Sequence, residues 1–238
     1  MADRRSLLVD IFLLPARDLM RGLERSLAGR LSRFLLVAGG LLLGWWIYVP
    51  VHELLHAAGC ALTGGAVSRL EIDPLYGGAL LARLFPFVVA GGHYAGRLSG
   101  FDTHGNDLIY LATDLAPFLL CLFPGVWLLR HVARRGRALA FGFSLPFALA
   151  PFLSLTGDAY EMGSILVTRL PWWNGSGWFH LLRGDDLLLV TAGIVSRPNA
   201  SAFAGLLLAT LLGVAWAFLW YASAGWLASR LGAPALGE

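Results

Sequence analysis

The chain is predicted to be an all-α integral membrane protein: about four transmembrane helices, with N-terminal interfacial helices before them and a small β-hairpin or sheet after the first. Three observations predict this class. Of its 238 residues 57% are hydrophobic and only 14% charged, at a mean hydropathy of +0.67, where a soluble domain carries about a quarter charged residues. Apolar runs near residues 34–60, 108–129, 138–158 and 201–227 approach or exceed the ~20 residues that cross a bilayer. Arginines cluster beside those runs, as membrane-flanking charges do.

The same composition excludes other classes. All 18 basic residues are arginine, and their position beside apolar spans makes the formal charge of +3 no signal for nucleic acid. Cys60 and Cys121 sit in apolar contexts outside any CxxC pair, so neither a disulfide framework nor a cysteine metal site is expected.

Residues 1–33 hold seven arginines against four acids, with an apolar segment Leu7 to Leu14 ended by Pro15. This segment fits a cleavable signal poorly, and residues 5–30 are expected to lie on the membrane surface with Leu and Phe inward and Arg outward. Residues 34–230 form one polytopic membrane domain, and 231–238 a tail. The first span begins at Phe34; Gly39, Gly40 and Gly44 admit a close neighbour, and Pro50 is expected to bend the helix. After Thr63-Gly64-Gly65, the segment Val67-Ser68-Arg69-Leu70-Glu71-Ile72 alternates as a strand does. A turn at 73–78 and a returning strand from Ala79 to Phe85 complete the expected hairpin, and residues 91–105 read as a glycine-rich loop. The second span contains Asp114 and Pro117 and runs into Arg130, Arg134, Arg135 and Arg137; the third contains Pro146 and Pro151 and ends at Asp158. Residues 171–199 are expected to be a loop with one short interfacial helix, and Trp172, Trp173 and Trp178 suit a membrane interface.

The first span ends in His52-Glu53-Leu54-Leu55-His56. Two histidines four residues apart share a helical face and can bind one Zn²⁺, with Glu53 between them placed as general base. No basic residue lies closer in sequence than Arg33 or Arg69. An ionised, unpaired Glu53 in lipid would be costly without a metal beside it.

The positive-inside rule puts the N-terminus and the 130–137 cluster on the cytoplasmic side, giving four spans with both termini inside. At about 1.5 Å per residue, His52 and His56 lie roughly 27 and 33 Å along the first span, Asp158 roughly 30 Å along the third, and Asp114 about 9 Å into the second from its outer end. These groups therefore converge in the outer part of the bilayer. A catalytic zinc needs a third protein ligand. Asp158 is preferred; Glu161, Asp114, His93 and His104 are the alternatives. Asp114 is read as an orienting residue that accepts a histidine N–H.

These residues resemble the site-2 protease family of intramembrane zinc metalloproteases. The resemblance covers about residues 45–160: HELLH with Ala57-Ala58, then Gly64-Gly65-Ala66-Val67, the Ile72-Asp73-Pro74-Leu75-Tyr76-Gly77-Gly78 turn, and Thr113-Asp114-Leu115-Ala116-Pro117. It departs from the family where an Asn-x-x-Pro…Leu-Asp-Gly motif supplies the third ligand, for here Pro151 precedes Asp158 by seven residues and the order is Gly157-Asp158. The resemblance implies Zn²⁺ as cofactor and hydrolysis of a peptide bond in or near a transmembrane segment of a membrane protein or peptide substrate.

In that reading Glu53 activates the water, and the strand Val67, Arg69, Leu70, Glu71 and Ile72 captures the unwound substrate by edge pairing. The 238 residues carry no recognisable soluble sensing module, so a regulatory membrane protein, a homo-oligomer or prior trimming of the substrate is expected to supply control. Three other readings compete: a zinc-dependent hydrolase of a non-peptide substrate, a non-enzymatic metal-binding membrane protein, and a structural membrane protein with a fortuitous motif.

Overall fold

In the computed structural model, which describes residues 4–171, 179–184 and 186–236, the N-terminal segment is one 24-residue helix, α1 (Arg4–Leu27), that continues through Pro15. The face it turns to the bundle combines small residues with Leu14, Leu19, Leu23 and Leu27. Pro15, Asp18, Gly22 and Ser26 are buried at helical spacing, while Phe12, Leu13 and Met20 stay exposed. Small residues let the helix lie close to its neighbours, and Asp18 is admitted because it is paired. Its carboxylate accepts from Arg130 Nε at 2.8 Å, Tyr221 Oη at 3.2 Å and the Leu236 N–H at 3.2 Å. The exposed apolar side suits contact with lipid.

Three helical runs are long and apolar enough to cross a membrane: 31–62, 107–134 and 200–230. The first is α2 (Leu31–Leu62), which passes through Pro50 and carries exposed side chains such as Leu42, 72% accessible. The second begins as α4 (Asp107–Leu115) and ends as α5 (Val126–Arg134); between them the backbone tightens at Ala116–Phe118 and is extended at Phe123. The third predicted span is not one helix. It breaks into α6 (Ala138–Ala148), α7 (Ala150–Leu153) and, after a turn, α8 (Asp158–Thr168). Gly157, at φ −110° and ψ −113°, is the physical reason: it turns the chain so that Asp158 opens a helix instead of closing one.

Between α2 and α4 the expected hairpin takes another form. The strand β1 (Ala66–Ile72) is present with Leu70 and Ile72 inward. The returning strand expected over Ala79 to Phe85 is instead the helix α3 (Gly78–Leu84). Gly77, left-handed at φ 82°, turns the chain into it, and the apolar positions of Leu-Leu-Ala-Arg-Leu suit a helix as well as a strand. The partners of β1 are β2 (Val88–Ala90), parallel, and β3 (Gly96–Asp102), antiparallel, in the order β2-β1-β3. The glycine-rich stretch read as a loop therefore contains a strand, and β1 is central.

Residues 171–199 hold two described helices, α9 (Phe179–Leu182) and α10 (Leu187–Ser196), rather than one. The expected interfacial Trp172, Trp173 and Trp178 lie outside the described residues. The last helix, α11 (Ala200–Arg230), is followed by a tail that folds back: Ala233 and Leu236 are buried, and the Leu236 carbonyl accepts from Arg21 at 2.7 Å.

Glycines bring these helices together. A Cβ on Gly40 would stand 2.0 Å from the Leu139 carbonyl oxygen, one on Gly44 2.4 Å from that of Phe143, and one on Gly142 2.0 Å from that of Val37. The pairing runs in one direction along both helices, so α6 lies parallel to α2, as expected of the first and third segments. On the far side Gly163 meets Ala209 and Gly213 meets Ala159, which packs α8 antiparallel to α11. Gly39, by contrast, has nothing within 4 Å. Accordingly Gly142→Ala should destabilise the protein in detergent by about 1–3 kcal/mol through overpacking, whereas Gly39→Ala should be neutral or stabilising by up to ~1 kcal/mol. Thermal melts of the two variants beside the wild type check this.

Candidate metal centre

The motif histidines lie on the inward face of α2, buried at 8% exposure for His52 and 7% for His56. Their Nε2 atoms are 3.1 Å apart. From the N-terminus of α8, Asp158 sets one carboxylate oxygen 3.3 Å from His52 Nε2 and the other 3.4 Å from His56 Nε2. All three ligating atoms fall within 4.8 Å of one another, and together they could hold a metal ion.

Both rings are fixed from behind. His56 Nδ1 donates to the Thr113 carbonyl at 2.9 Å, and His52 Nδ1 is 2.9 Å from the Tyr48 hydroxyl. A carbonyl only accepts, so Nδ1 of His56 carries the proton, and in the neutral ring Nε2 offers a bare lone pair to the cluster. The His56 lone pair and the Asp158 carboxylate, pointed at one another in an apolar surround, repel unless a proton or a cation lies between them. Four-coordinate Zn²⁺ with ligands at about 2.0–2.1 Å would place its ligand atoms about 3.3 Å apart. The Nε2–Nε2 separation of 3.1 Å is near that value, and Asp158 presents a different oxygen to each ring, at 3.3 and 3.4 Å.

Thr113 reaches His56 because α4 crosses α2 closely. A Cβ on Gly59 would touch the Ala112 carbonyl oxygen at 2.7 Å, so only a glycine there permits the approach. Tyr48 is seated by an edge-on contact with Phe147, rings 5.8 Å apart, which ties it to α6.

Glu53 faces the same cavity, a space of about 240 Å³ that also touches His52, His56 and Asp158. Gly96, the first residue of β3, packs on it: a Cβ there would stand 2.4 Å from Glu53 Cγ. The backbone N–H of Leu98 donates to the Glu53 carboxylate. The sheet thus forms a wall of the site through β3.

The other sequence candidates separate. Asp114 and Glu161 line the cavity but stand outside the three-residue cluster. Asp114 accepts from neither histidine; the Thr113 carbonyl and Tyr48 take those positions, because the neighbouring backbone is closer to His56 than the next side chain. Glu161 accepts a hydrogen bond from Tyr110. His93 is exposed, and His104, also exposed, pairs with Asp102 at 3.2 Å; neither reaches the cluster. Val67, Arg69, Leu70, Glu71 and Ile72 are on the strand that is paired on both sides, so β1 offers no free edge. Arg69 and Glu71 pair with each other at 2.8 Å, which holds the Glu71 carboxyl below its ordinary range. Tyr48, Thr113, Tyr110 and Gly96 were not singled out from the sequence. Only Tyr48 left a signal there, four residues before His52 and so on the same helical face.

Comparison with protein-family models, with curated proteins and with solved structures found no match.

Ring support and ligation are separable. Tyr48→Phe should leave the fold intact and weaken metal binding about 10–100-fold, the usual cost of losing a partner behind a ligand. His56→Ala should abolish binding. A chelator-competition titration of the purified protein reads both.

Proposed function

We propose that this protein is an intramembrane zinc metalloprotease, related to the site-2 protease family, that hydrolyses a peptide bond in or near a transmembrane segment. The observation that carries the reading is the meeting of His52, His56 and Asp158 with Glu53 in one cavity among apolar helices. Of the metals such a donor set takes, zinc suits two imidazoles and a carboxylate at these spacings. When bound, Zn²⁺ would polarise a substrate carbonyl and acidify a water. Glu53 would serve as the general base toward the attacking water and as the acid that returns the proton to the leaving amide nitrogen. Tyr48 and Thr113 hold the imidazoles in orientation throughout, and the surrounding helices keep bulk water from the reacting groups.

Substrate capture falls to β3. Among the described residues no strand pairs with its outer edge, which runs past Glu53 and gives it the Leu98 N–H. An unwound substrate helix would add to that edge, which presents backbone groups beside the base.

The membrane reading is a four-crossing protein with both termini cytoplasmic, the third crossing built from α6, α7 and α8 in sequence. Docking of residues 233–236 against α1 supports termini on one side. Reporters fused to each terminus should give the same, cytoplasmic, signal; opposite signals would leave three crossings.

For the activity, purified wild type and Glu53→Gln should each contain about one zinc per chain, since Glu53 is not a ligand, and Asp158→Ala should contain almost none. Cleavage of a membrane-protein substrate should fall by at least about 10²-fold in Glu53→Gln, the lower range for loss of a general base. Zinc retained with undiminished cleavage would remove Glu53 from the mechanism. Absence of zinc in the reloaded, folded wild type would remove the protease reading altogether.

A further inference from the structure

We propose that the cavity beside the metal centre takes a cationic side chain of the substrate, lysine or arginine, between Asp114 of α4 and Glu161 of α8. This names a substrate class for the proposed protease and rests on that reading. Five carboxylates line the cavity, from Glu53, Asp114, Asp158, Glu161 and Asp186, against one guanidinium, from Arg97. Asp114 and Glu161, 3% and 7% exposed, stand outside the histidine–aspartate cluster.

Asp114 points to a ligand independently of that charge count. Its Oδ2 is buried and has no hydrogen-bond partner, although a buried carboxylate oxygen ordinarily finds one. It lies one residue beyond Thr113, whose carbonyl holds His56, and Glu161 lies one turn beyond Asp158. Both acids are therefore neighbours of the reacting centre, where the side chain next to a scissile bond would fall.

Aromatic rings complete the lining. Tyr94, Phe101 and Tyr110 face the same space, and Phe101 and Tyr110 meet edge-on at 5.4 Å. The Tyr94 ring already lies under the Arg97 guanidinium, 5.4 Å from its centroid, so Phe101 and Tyr110 are the rings that bear on a substrate cation, which aromatic faces attract. A second metal is less suited: among the described residues the three-ligand group is His52, His56 and Asp158, and Asp114 and Glu161 supply two carboxylates without a third donor of that kind.

The test uses zinc-loaded full-length protein and three amino-acid hydroxamates that share the metal-binding group. Their side chains are those of arginine, of citrulline, its neutral isostere, and of norleucine. Binding of each is measured by competition with a chelator-type fluorescent probe. The arginine compound should bind wild type at least about tenfold more tightly than the citrulline compound, a ratio worth ~1.4 kcal/mol. Asp114→Asn and Glu161→Gln, each checked for unchanged zinc content, should bring that ratio close to one. Equal affinities for arginine and citrulline in wild type would overturn the cation subsite while leaving the metal centre standing. A preference that survives both substitutions would overturn its assignment to these acids. Failure of all three hydroxamates to bind would overturn the subsite together with the protease reading beneath it.

Discussion

Two imidazole nitrogens and a carboxylate, gathered within 4.8 Å among apolar helices, are the constraint around which this structure is arranged. In such a surround the cost of uncompensated polar groups is several kcal/mol, so the arrangement has to be held by its neighbours and relieved by a cation. The holding is visible in detail. Thr113 fixes one ring through a backbone carbonyl, Tyr48 fixes the other, and Phe147 fixes Tyr48. Thr113 and Phe147 come from helices that reach α2 only because a glycine lets them: α4 at Gly59, α6 at Gly40, Gly44 and Gly142. The dense glycine content of these segments is thus tied directly to the precision of the centre.

A second buried polar network sits at the opposite end of α2's partners. Asp18, Arg130 and Tyr221 join α1, α5 and α11, and Arg130 also donates to the carbonyls of Gly225, at 2.9 Å, and Ala233, at 3.3 Å. A buried ion pair adds little net stability over an apolar replacement, but removing one partner strands the other at a cost of about 3–5 kcal/mol. What this network contributes is register. It fixes where α1 and the C-terminal tail lie on the bundle, and it leaves the apolar side of α1 facing outward. The two networks divide the molecule: one is fully satisfied by protein groups, while the other leaves ligating atoms and Asp114 Oδ2 without adequate partners. That contrast sets the histidine–aspartate cluster apart as the one with atoms left for a ligand.

The sheet illustrates how local pattern and tertiary pairing part company. Alternation puts Leu70 and Ile72 on one face of the strand, and in the structure both are buried. It could not say which strands lie beside it. The segment from Ala79 to Phe85 has apolar spacing compatible with either a strand or a helix, and Gly77 starts a helix. The glycines of 96–102 read as a loop, yet glycine is what allows β3 to lie against Glu53. The role of free edge accordingly moves from β1 to β3.

By itself the sequence determined the apolar class of the chain and the helical face shared by His52 and His56 with Glu53 between them, and it pointed to Asp158 as the residue to join them. Those follow from composition, the period of 3.6 and the rise per residue, which are local quantities. Tertiary structure alone decided the rest. It put Asp158 at the start of a helix through the turn at Gly157, because a backbone break is set by how α6 and α8 pack on different partners. It gave the imidazoles Tyr48 and a Thr113 carbonyl, the latter a group every residue carries and no side-chain pattern can single out. It buried Asp18 by bringing up Arg130 from 112 residues away, since whether a charge is exposed or enclosed depends on a partner that the local sequence does not contain.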